Sequence, residues 1–227
     1  VVDAFGAPID GMGPLSRGPV EIFANATPPQ ALHRRIITKG LTSGVKTIDL
    51  FAPLCIGQRI GIFAGSGVGK STLLGMLAAA ENFDVVVIGL IGERGREVRE
   101  FIEHTLGARR HKSVLVVATS DESALLRRLA ARTTMAIAES FRDQGRSVLV
   151  ILDSVTRFAL ACREVAIAAG EPPVSRGFPP SVFTDLPRLL ERAGPGPQNA
   201  GDITAIFSIL VDGDDHNDPI ADAVRGI

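Results

Sequence analysis

The chain contains no tryptophan and no tyrosine, so its 11 phenylalanines are its only aromatic side chains. Any aromatic stacking on a ligand must therefore use a phenylalanine or come from another chain. Cysteine is also scarce. Cys55 and Cys162 lie far apart in the sequence and lack the close spacing of metal-ligand pairs. We expect two buried thiols in a reducing cytosol.

A strong net charge and long apolar runs are missing as well. The 24 basic and 25 acidic residues give a formal net charge of −1, which offers no electrostatic reason to expect nucleic acid or an acidic membrane as partner. No apolar run is long enough to cross a bilayer, and Val1 does not begin a signal peptide. Because an initiator methionine is absent, we expect a fragment or a processed chain.

The 227 residues suffice for a full α/β core. Residues 1–40 are rich in glycine and proline, which predicts a short strand or two and then an extended linker. Strand-like and helix-like patterns alternate from Gly44 onward. Apolar runs typical of buried parallel strands lie at 58–64, 84–91, 113–119, 147–152 and 203–211.

Two segments between these runs have apolar residues at helical spacing, 122–142 and 154–169. The stripe of the first consists of Leu125, Leu126, Leu129, Ala136, Ile137 and Phe141, and that of the second of Val155, Phe158, Ala159, Cys162 and either Val165 or Ala166. Repeated strand–helix units predict an α/β fold, a mostly parallel sheet with helices on both faces.

The most informative segment is 64–71, Ala-Gly-Ser-Gly-Val-Gly-Lys-Ser, between an apolar run and a helix-like stretch. This layout is typical of a phosphate-binding P-loop. Glycines allow tight turns and a close approach of phosphate oxygens, while the helix N-terminus adds partial positive charge. Lys70 would reach the β- and γ-phosphates, and the Ser71 hydroxyl would bind Mg²⁺. Ala64 replaces the usual first glycine at the strand end, where a methyl group is tolerable.

Two carboxylates would complete such a site. Asp153 ends the apolar run 147–152, where a strand end would place it beside the Mg²⁺ shell; it could also cap the following helix. Glu93 follows the strand 84–91 and could polarise an attacking water. Its neighbour Arg94 could stabilise phosphate charge or tie the loop to a neighbour. The simpler alternative for residues 92–97 is a solvated charged loop.

Four blocks, 65–71, 92–98, 151–158 and 170–183, resemble the catalytic core of rotary-type ATPases. They are most similar to the flagellum-specific and type III secretion ATPases, relatives of the ATP synthase catalytic subunit. Residues 201–204 and 215–223 fit the same family. The resemblance implies a RecA-like P-loop ATPase domain at 41–227 with its C-terminal part missing. It also implies that residues 1–40 are a remnant of an N-terminal β-barrel plus a linker.

The same resemblance implies ATP or ADP and Mg²⁺ as cofactors and assigns roles to residues. The catalytic residues would be Lys70, Glu93 and Arg94, and the Mg²⁺ site would use Ser71 and Asp153. The residues expected to bind the nucleotide are Gly65, Ser66, Gly67, Val68, Gly69, Lys70, Ser71 and Thr72. Phe178 stands where many relatives have tyrosine, so any hydrogen bond from a phenol is lost.

At the level of function, the resemblance implies ATP hydrolysis that energises protein export by a hexameric ring. The partners would be export-apparatus proteins and exported substrates. The protein would be located in the cytoplasm, at the inner face of the bacterial membrane, where the export apparatus would hold it. An arginine finger and adenine-facing aromatics are expected beyond Ile227, so we expect the chain alone to hydrolyse ATP weakly.

Two alternatives remain open. A nucleotide-binding subunit of a rotary ATP synthase is the first; its non-catalytic type usually replaces the water-orienting glutamate by glutamine, unlike Glu93. The second is a RecA-like nucleic-acid motor. The basic residues Arg127, Arg128 and Arg132 are better explained as a solvated or subunit-facing helix surface. The acidic cluster Asp212, Asp214, Asp215 and Asp218 would repel phosphate backbones. We therefore predict no nucleic-acid partner.

Overall fold

The computed structural model describes residues 1–16, 18, 20–65, 67–211 and 218–227, with the backbone alone for 107–109. In this part of the chain, two short strands come first, β1 (Gly40–Leu41) and β2 (Leu54–Cys55), which pair antiparallel. They enclose the short helix α1 (Lys46–Phe51). A single turn of 3-10 helix, Ala31–His33, lies in the preceding segment.

A six-stranded sheet forms the centre of the described structure. Its parallel strands are β3 (Arg59–Ala64), β4 (Val85–Glu93), β5 (Ser113–Thr119), β6 (Val148–Asp153) and β8 (Asp202–Leu210). They are ordered β3-β8-β6-β4-β5, and the short β7 (Gly194–Pro195) pairs antiparallel with β8. The five predicted strands are confirmed, with ends shifted by at most two residues.

Helices cover both faces of this sheet. They are α2 (Lys70–Ala78), α3 (Gly95–Glu100), α4 (Ala124–Asp143), α5 (Val155–Ala168), α6 (Pro180–Leu190) and α7 (Pro219–Arg225). A π-helical stretch, Phe101–Leu106, and a 3-10 stretch, Gly107–Lys112, follow α3. Alternate residues of β4 enter two separate hydrophobic clusters: Val87 packs with α4 to α7, and Ile88 with α2 and α3. The predicted α/β fold with helices on both faces is confirmed.

The two long helices begin at serine caps. Ser123 Oγ accepts a hydrogen bond from the Leu126 N–H at 3.3 Å, and Ser154 Oγ accepts one from the Arg157 N–H at 3.3 Å. The predicted stripe of α5 is buried, and of its two alternative members Ala166 is buried while Val165 is only half-buried.

The stripe predicted for α4 is partly wrong. Leu125 is 63% exposed, and the most deeply buried face carries small residues such as Ala130, Ala131 and Ala138. The reason is a close approach to the sheet, where a Cβ on Gly89 of β4 would lie 2.6 Å from Thr134 Oγ1. Long side chains would not fit in that interface, so the leucines lie at its border.

The cysteine prediction is half right. Cys162 is buried, and its surroundings raise the pKa of the thiol to about 12, chiefly through burial and then through the charge of Asp185. Cys55 lies at the end of β2 and is only half-buried, whereas its neighbour Leu54 is buried in the core. Both thiols are free.

The N-terminal residues pack on the edge of the sheet. Val2 donates to the Leu115 carbonyl at 2.8 Å and accepts from the Val117 N–H at 3.0 Å, which extends the sheet beyond β5. Val2 and Ala4 are buried in the core. The origin of residues 1–40 as a barrel remnant and linker stays a prediction. None of the helices in the described ranges is both long and apolar enough to cross a membrane.

Candidate functional site

The glycine loop joins the end of β3 at Ala64 to the start of α2 at Lys70. Gly67 and Gly69 have φ angles of 78° and 90°, which L side chains rarely adopt. Gly69 is also the residue that precedes the helix, so the N-terminus of α2 opens onto the loop. The loop therefore needs glycine at these two positions. Ser66, one of the predicted nucleotide-binding residues, lies outside the described residues.

Lys70 turns its ammonium group inward from the first turn of α2. Its Nζ donates to the Asp153 carboxylate and lies 3.3 Å from Ser208 Oγ. The side chains of Lys70 and Asp153 are only 11% and 5% exposed. The sheet order explains the meeting, because β3, β8 and β6 are neighbours and their carboxyl ends share one edge. The structure thus brings together two of the predicted site residues.

Glu93 ends β4 at the same edge and is half-buried. Its surroundings raise the pKa of the carboxyl group to about 7, first through burial and next through the negative charge of Asp153. A hydrogen bond with Glu97 adds to the rise, while the charge of Lys70 opposes it. Glu93 is therefore poised to take up or release a proton near neutral pH.

The other predicted residues lie at the rim. Val68 of the loop and Ser71 and Thr72 of the first turn of α2 are exposed. The Arg94 side chain is 67% exposed, and its guanidinium lies 3.7 Å from the Glu97 carboxylate. A contact of Arg94 with phosphate stays a prediction.

Two residues at this edge are not predicted from the sequence. Ser208 of β8 is fully buried and donates to Asp153 Oδ1 at 2.6 Å. The sequence did contain an indication of this, since Thr204 and Ser208 are polar residues four apart in the otherwise apolar run 203–211 and so share one face. Arg157, in the first turn of α5, packs its aliphatic stem against Gly92, where a Cβ would lie 3.1 Å from that of Arg157. Only its place in the segment 151–158 pointed to it.

Most of the acidic cluster that we expect to repel phosphate backbones, Asp212, Asp214 and Asp215, lies outside the described residues. The fourth member, Asp218, has a structural role. Its carboxylate accepts hydrogen bonds of 2.9 Å from the N–H groups of Ile220 and Ala221 and so caps α7.

A glycine loop at a helix N-terminus, with a lysine facing the carboxylate that ends a neighbouring parallel strand, defines a P-loop nucleotide-binding domain. The comparison with protein families agrees. The model of the ATP synthase alpha/beta family, nucleotide-binding domain, matches residues 44–227, and the chain belongs to this family.

Individual relatives show which members of this family the chain is similar to. The whole chain is 66% identical to the flagellum-specific ATP synthase of Agrobacterium fabrum and covers 48% of that protein. It is 55% identical to the type 3 secretion system ATPase of Xanthomonas euvesicatoria and covers 51% of it. The chain thus spans about half the length of these relatives. The similarity to export ATPases predicted from the motifs is confirmed.

A solved structure of the same kind matches the fold. It is the assembled ATPase EscN of the enteropathogenic E. coli type III secretion system in complex with its central stalk EscO. The TM-score is 0.90 at 51% sequence identity, over 100% of this chain and 54% of that one.

Proposed function

We propose that this chain is the nucleotide-binding domain of an ATPase that hydrolyses Mg²⁺-ATP and energises flagellar or type III protein export. The observation that carries the proposal is the buried pair of Lys70 and Asp153 beside Glu93, at the carboxyl edge of the sheet. A cation, a carboxylate and a group that titrates near pH 7 are the parts that phosphoryl transfer to water requires.

The residues present fit a nucleotide. The left-handed Gly67 and Gly69 place no side chain in the loop, so phosphate oxygens can approach its backbone N–H groups. The ammonium of Lys70 is the positive group aimed into this edge. Nucleotide binding would transfer the ammonium from the Asp153 carboxylate to the β- and γ-phosphates, where the negative charge is greater.

The donor set also fits Mg²⁺. The Ser71 hydroxyl lies in the first turn of α2 and the Asp153 carboxylate at the strand end, and both offer the oxygen ligands that this ion prefers. Bound Mg²⁺ would neutralise charge on the phosphates. Ser208 would keep its hydrogen bond to Asp153 Oδ1 while Lys70 moves, so the carboxylate stays oriented.

Glu93 would act as the group that orients and deprotonates the attacking water. Its carboxyl lies near Asp153, and the raised pKa makes it a better proton acceptor than an exposed glutamate. Arg94 would turn from Glu97 toward the phosphates to stabilise their charge. A glutamate at position 93 disfavours a non-catalytic subunit, which would need no base.

For the whole protein we propose the assembly known for the relatives. The EscN structure is an assembled ATPase with a central stalk, and the chain matches it over its full length. We propose a hexameric ring in the cytoplasm that contacts export-apparatus proteins at the inner face of the membrane and acts on exported proteins, without nucleic acid. The 55% identity to a type 3 secretion system ATPase favours export over ATP synthesis.

Nucleotide binding tests the proposal directly. The Lys70→Ala variant should lose affinity for a fluorescent ATP analogue with Mg²⁺ by roughly 100-fold or more, because the phosphate charge is left unmatched. Lys46→Ala, which alters an exposed lysine of α1, is the matched control and should bind like the wild type. Urea unfolding of both variants checks that the fold survives. Equal affinity in all three chains would overturn the P-loop assignment.

A further inference from the structure

A second cavity of about 470 Å³ lies away from the glycine loop, between α4, the end of α6 and the linker residues 25–28. Four arginines line it: Arg128 and Arg132 from α4, and Arg188 and Arg192 from α6 and the turn after it. None of the residues that line it belongs to the P-loop site. What this cavity can bind is therefore a separate question from ATP hydrolysis.

Positive charge is in excess here. Asp185 is the carboxylate among the lining residues, and its Oδ2 accepts from both Arg128 at 2.6 Å and Arg132 at 3.4 Å. Arg192 forms a buried bidentate pair with Glu139, at 2.9 and 2.6 Å, which satisfies that carboxylate. Two carboxylates therefore serve four guanidinium groups.

The arginines at this cavity also lack hydrogen-bond acceptors. In the described part of the chain, Nε of Arg128 is buried without a hydrogen-bond partner. Such a group costs free energy unless an acceptor reaches it. Burial, and next the charge of Arg128, lower the pKa of the Arg132 guanidinium. An anion in the cavity would correct the charge imbalance and accept hydrogen bonds from the accessible guanidinium nitrogens that line it.

We propose that this cavity binds the phosphate group of a small molecule. Planar guanidinium groups match phosphate oxygens in pairs, and a cavity of this volume suits a small phosphorylated compound. The ligand would also touch the linker, which is already attached at this point because Arg192 donates to the Ala24 carbonyl at 2.7 Å. Occupancy would thus hold residues 24–28 against α4 and α6.

Calorimetric titration with pyrophosphate tests the proposal on the Lys70→Ala chain, in which the P-loop is disabled. Binding should persist there. It should weaken at least tenfold when Arg128→Gln is added and severalfold with Arg188→Gln, whose exposed side chain makes a folding defect unexpected. Arg127→Gln is the matched control: its Nε is also buried and unpartnered, but it pairs with Glu164 outside the cavity.

Two further measurements identify the ligand and its effect on the linker. Orthophosphate and adenosine monophosphate are titrated in parallel. Similar affinities identify free phosphate as the ligand, while tighter binding of the ester identifies a phosphorylated metabolite. Amide hydrogen exchange of residues 24–28 should slow when the ligand is bound. Absence of binding to the Lys70→Ala chain, or equal binding in the Arg127, Arg128 and Arg188 variants, would overturn the proposal.

Discussion

Ser208 Oγ donates a hydrogen bond of 2.6 Å to Asp153 Oδ1, and the same oxygen is the one that Lys70 binds. The two residues lie on adjacent strands, β8 and β6, and both are buried. Strand β8 lies between β6, which carries Asp153, and β3, which leads into the glycine loop. The Ser208 hydroxyl on β8 therefore holds the Asp153 carboxylate in place. Lys70 and Ser208 thus both bind this oxygen, and Ser208 would keep its hydrogen bond if the ammonium moved to phosphate as proposed above.

Removal of this hydroxyl should lower stability. We expect Ser208→Ala to lower the free energy of unfolding by about 1.5–3 kcal/mol, the usual range for a hydrogen bond to a charged group. Urea unfolding of the wild type, Ser208→Ala, Asp153→Ala and the double variant closes a cycle that isolates the pair. A coupling near zero would show that the hydroxyl does not act through Asp153.

The conversion of Glu93 to glutamine separates binding from chemistry. Glutamine keeps the shape but cannot accept a proton, so in a protein of the relatives' full length ATP should still bind while hydrolysis falls by roughly 100-fold or more. Phosphate release measured alongside nucleotide affinity decides it. Glu100→Gln is a useful control, because Glu100 is an exposed glutamate at the end of α3 and is not placed in the chemistry. Unchanged turnover in Glu93→Gln would remove this residue from the mechanism.

The strands and the glycine loop were predictable because each depends on local patterns. Continuous apolar runs indicate the buried strands, and the glycine spacing predicts the loop that ends at Lys70. Asp153 was found for the same reason, as the polar end of an apolar strand. The order of the strands in the sheet was not predicted, since it depends on contacts distant in sequence.

The residues that escaped prediction act through such distant contacts. Ser208 contacts Asp153 only because β8 inserts beside β6. The burial of α4 was misjudged at Leu125 because Gly89 lets the helix approach the sheet on its small residues. Arg128 and Arg132, expected on a solvated or subunit-facing surface, share Asp185 of α6, a contact that the sequence did not predict. A helical stripe alone does not reveal which neighbour a helix meets.

The raised pKa of Glu93 predicts a specific pH dependence of stability. Its value in the folded chain is about 7, against 4.5 for an unperturbed glutamate, so the folded state holds the proton more tightly than the unfolded state. Stability contributed by this proton is complete below pH 4.5 and is lost as the pH rises to about 7. Relative to Glu93→Gln, the wild type should therefore become progressively less stable between these values.

Denaturant unfolding of both chains at a series of pH values provides this comparison. The comparison uses the difference in unfolding free energy between the two chains at each pH. In this difference, the contributions of all titrating groups that the substitution leaves unchanged cancel. A difference that does not vary between pH 4.5 and 7 would show that Glu93 titrates like an exposed glutamate.

The last prediction concerns the packing that positions the P-loop helix. Gly75 of α2 faces the π-helical stretch, and a Cβ there would lie 2.2 Å from Thr105 Cγ2. An alanine normally stabilises a helix interior by about 1 kcal/mol relative to glycine. Here the clash, which typically costs about 1–3 kcal/mol, should outweigh that gain and make Gly75→Ala destabilising.

Thr105→Ser provides the decisive control because it removes only the clashing methyl group, and the next nearest atom of residue 105, Cβ, lies at an ordinary 3.4 Å. In the Thr105→Ser background, Gly75→Ala should therefore become stabilising by about 0.5–1 kcal/mol. Urea unfolding of the four chains measures this reversal of sign. Since α2 carries Lys70 and Ser71 in its first turn, Gly75→Ala alone should also weaken nucleotide binding, and the double variant should restore it. If Gly75→Ala has the same effect in both backgrounds, the contact with Thr105 does not position the helix.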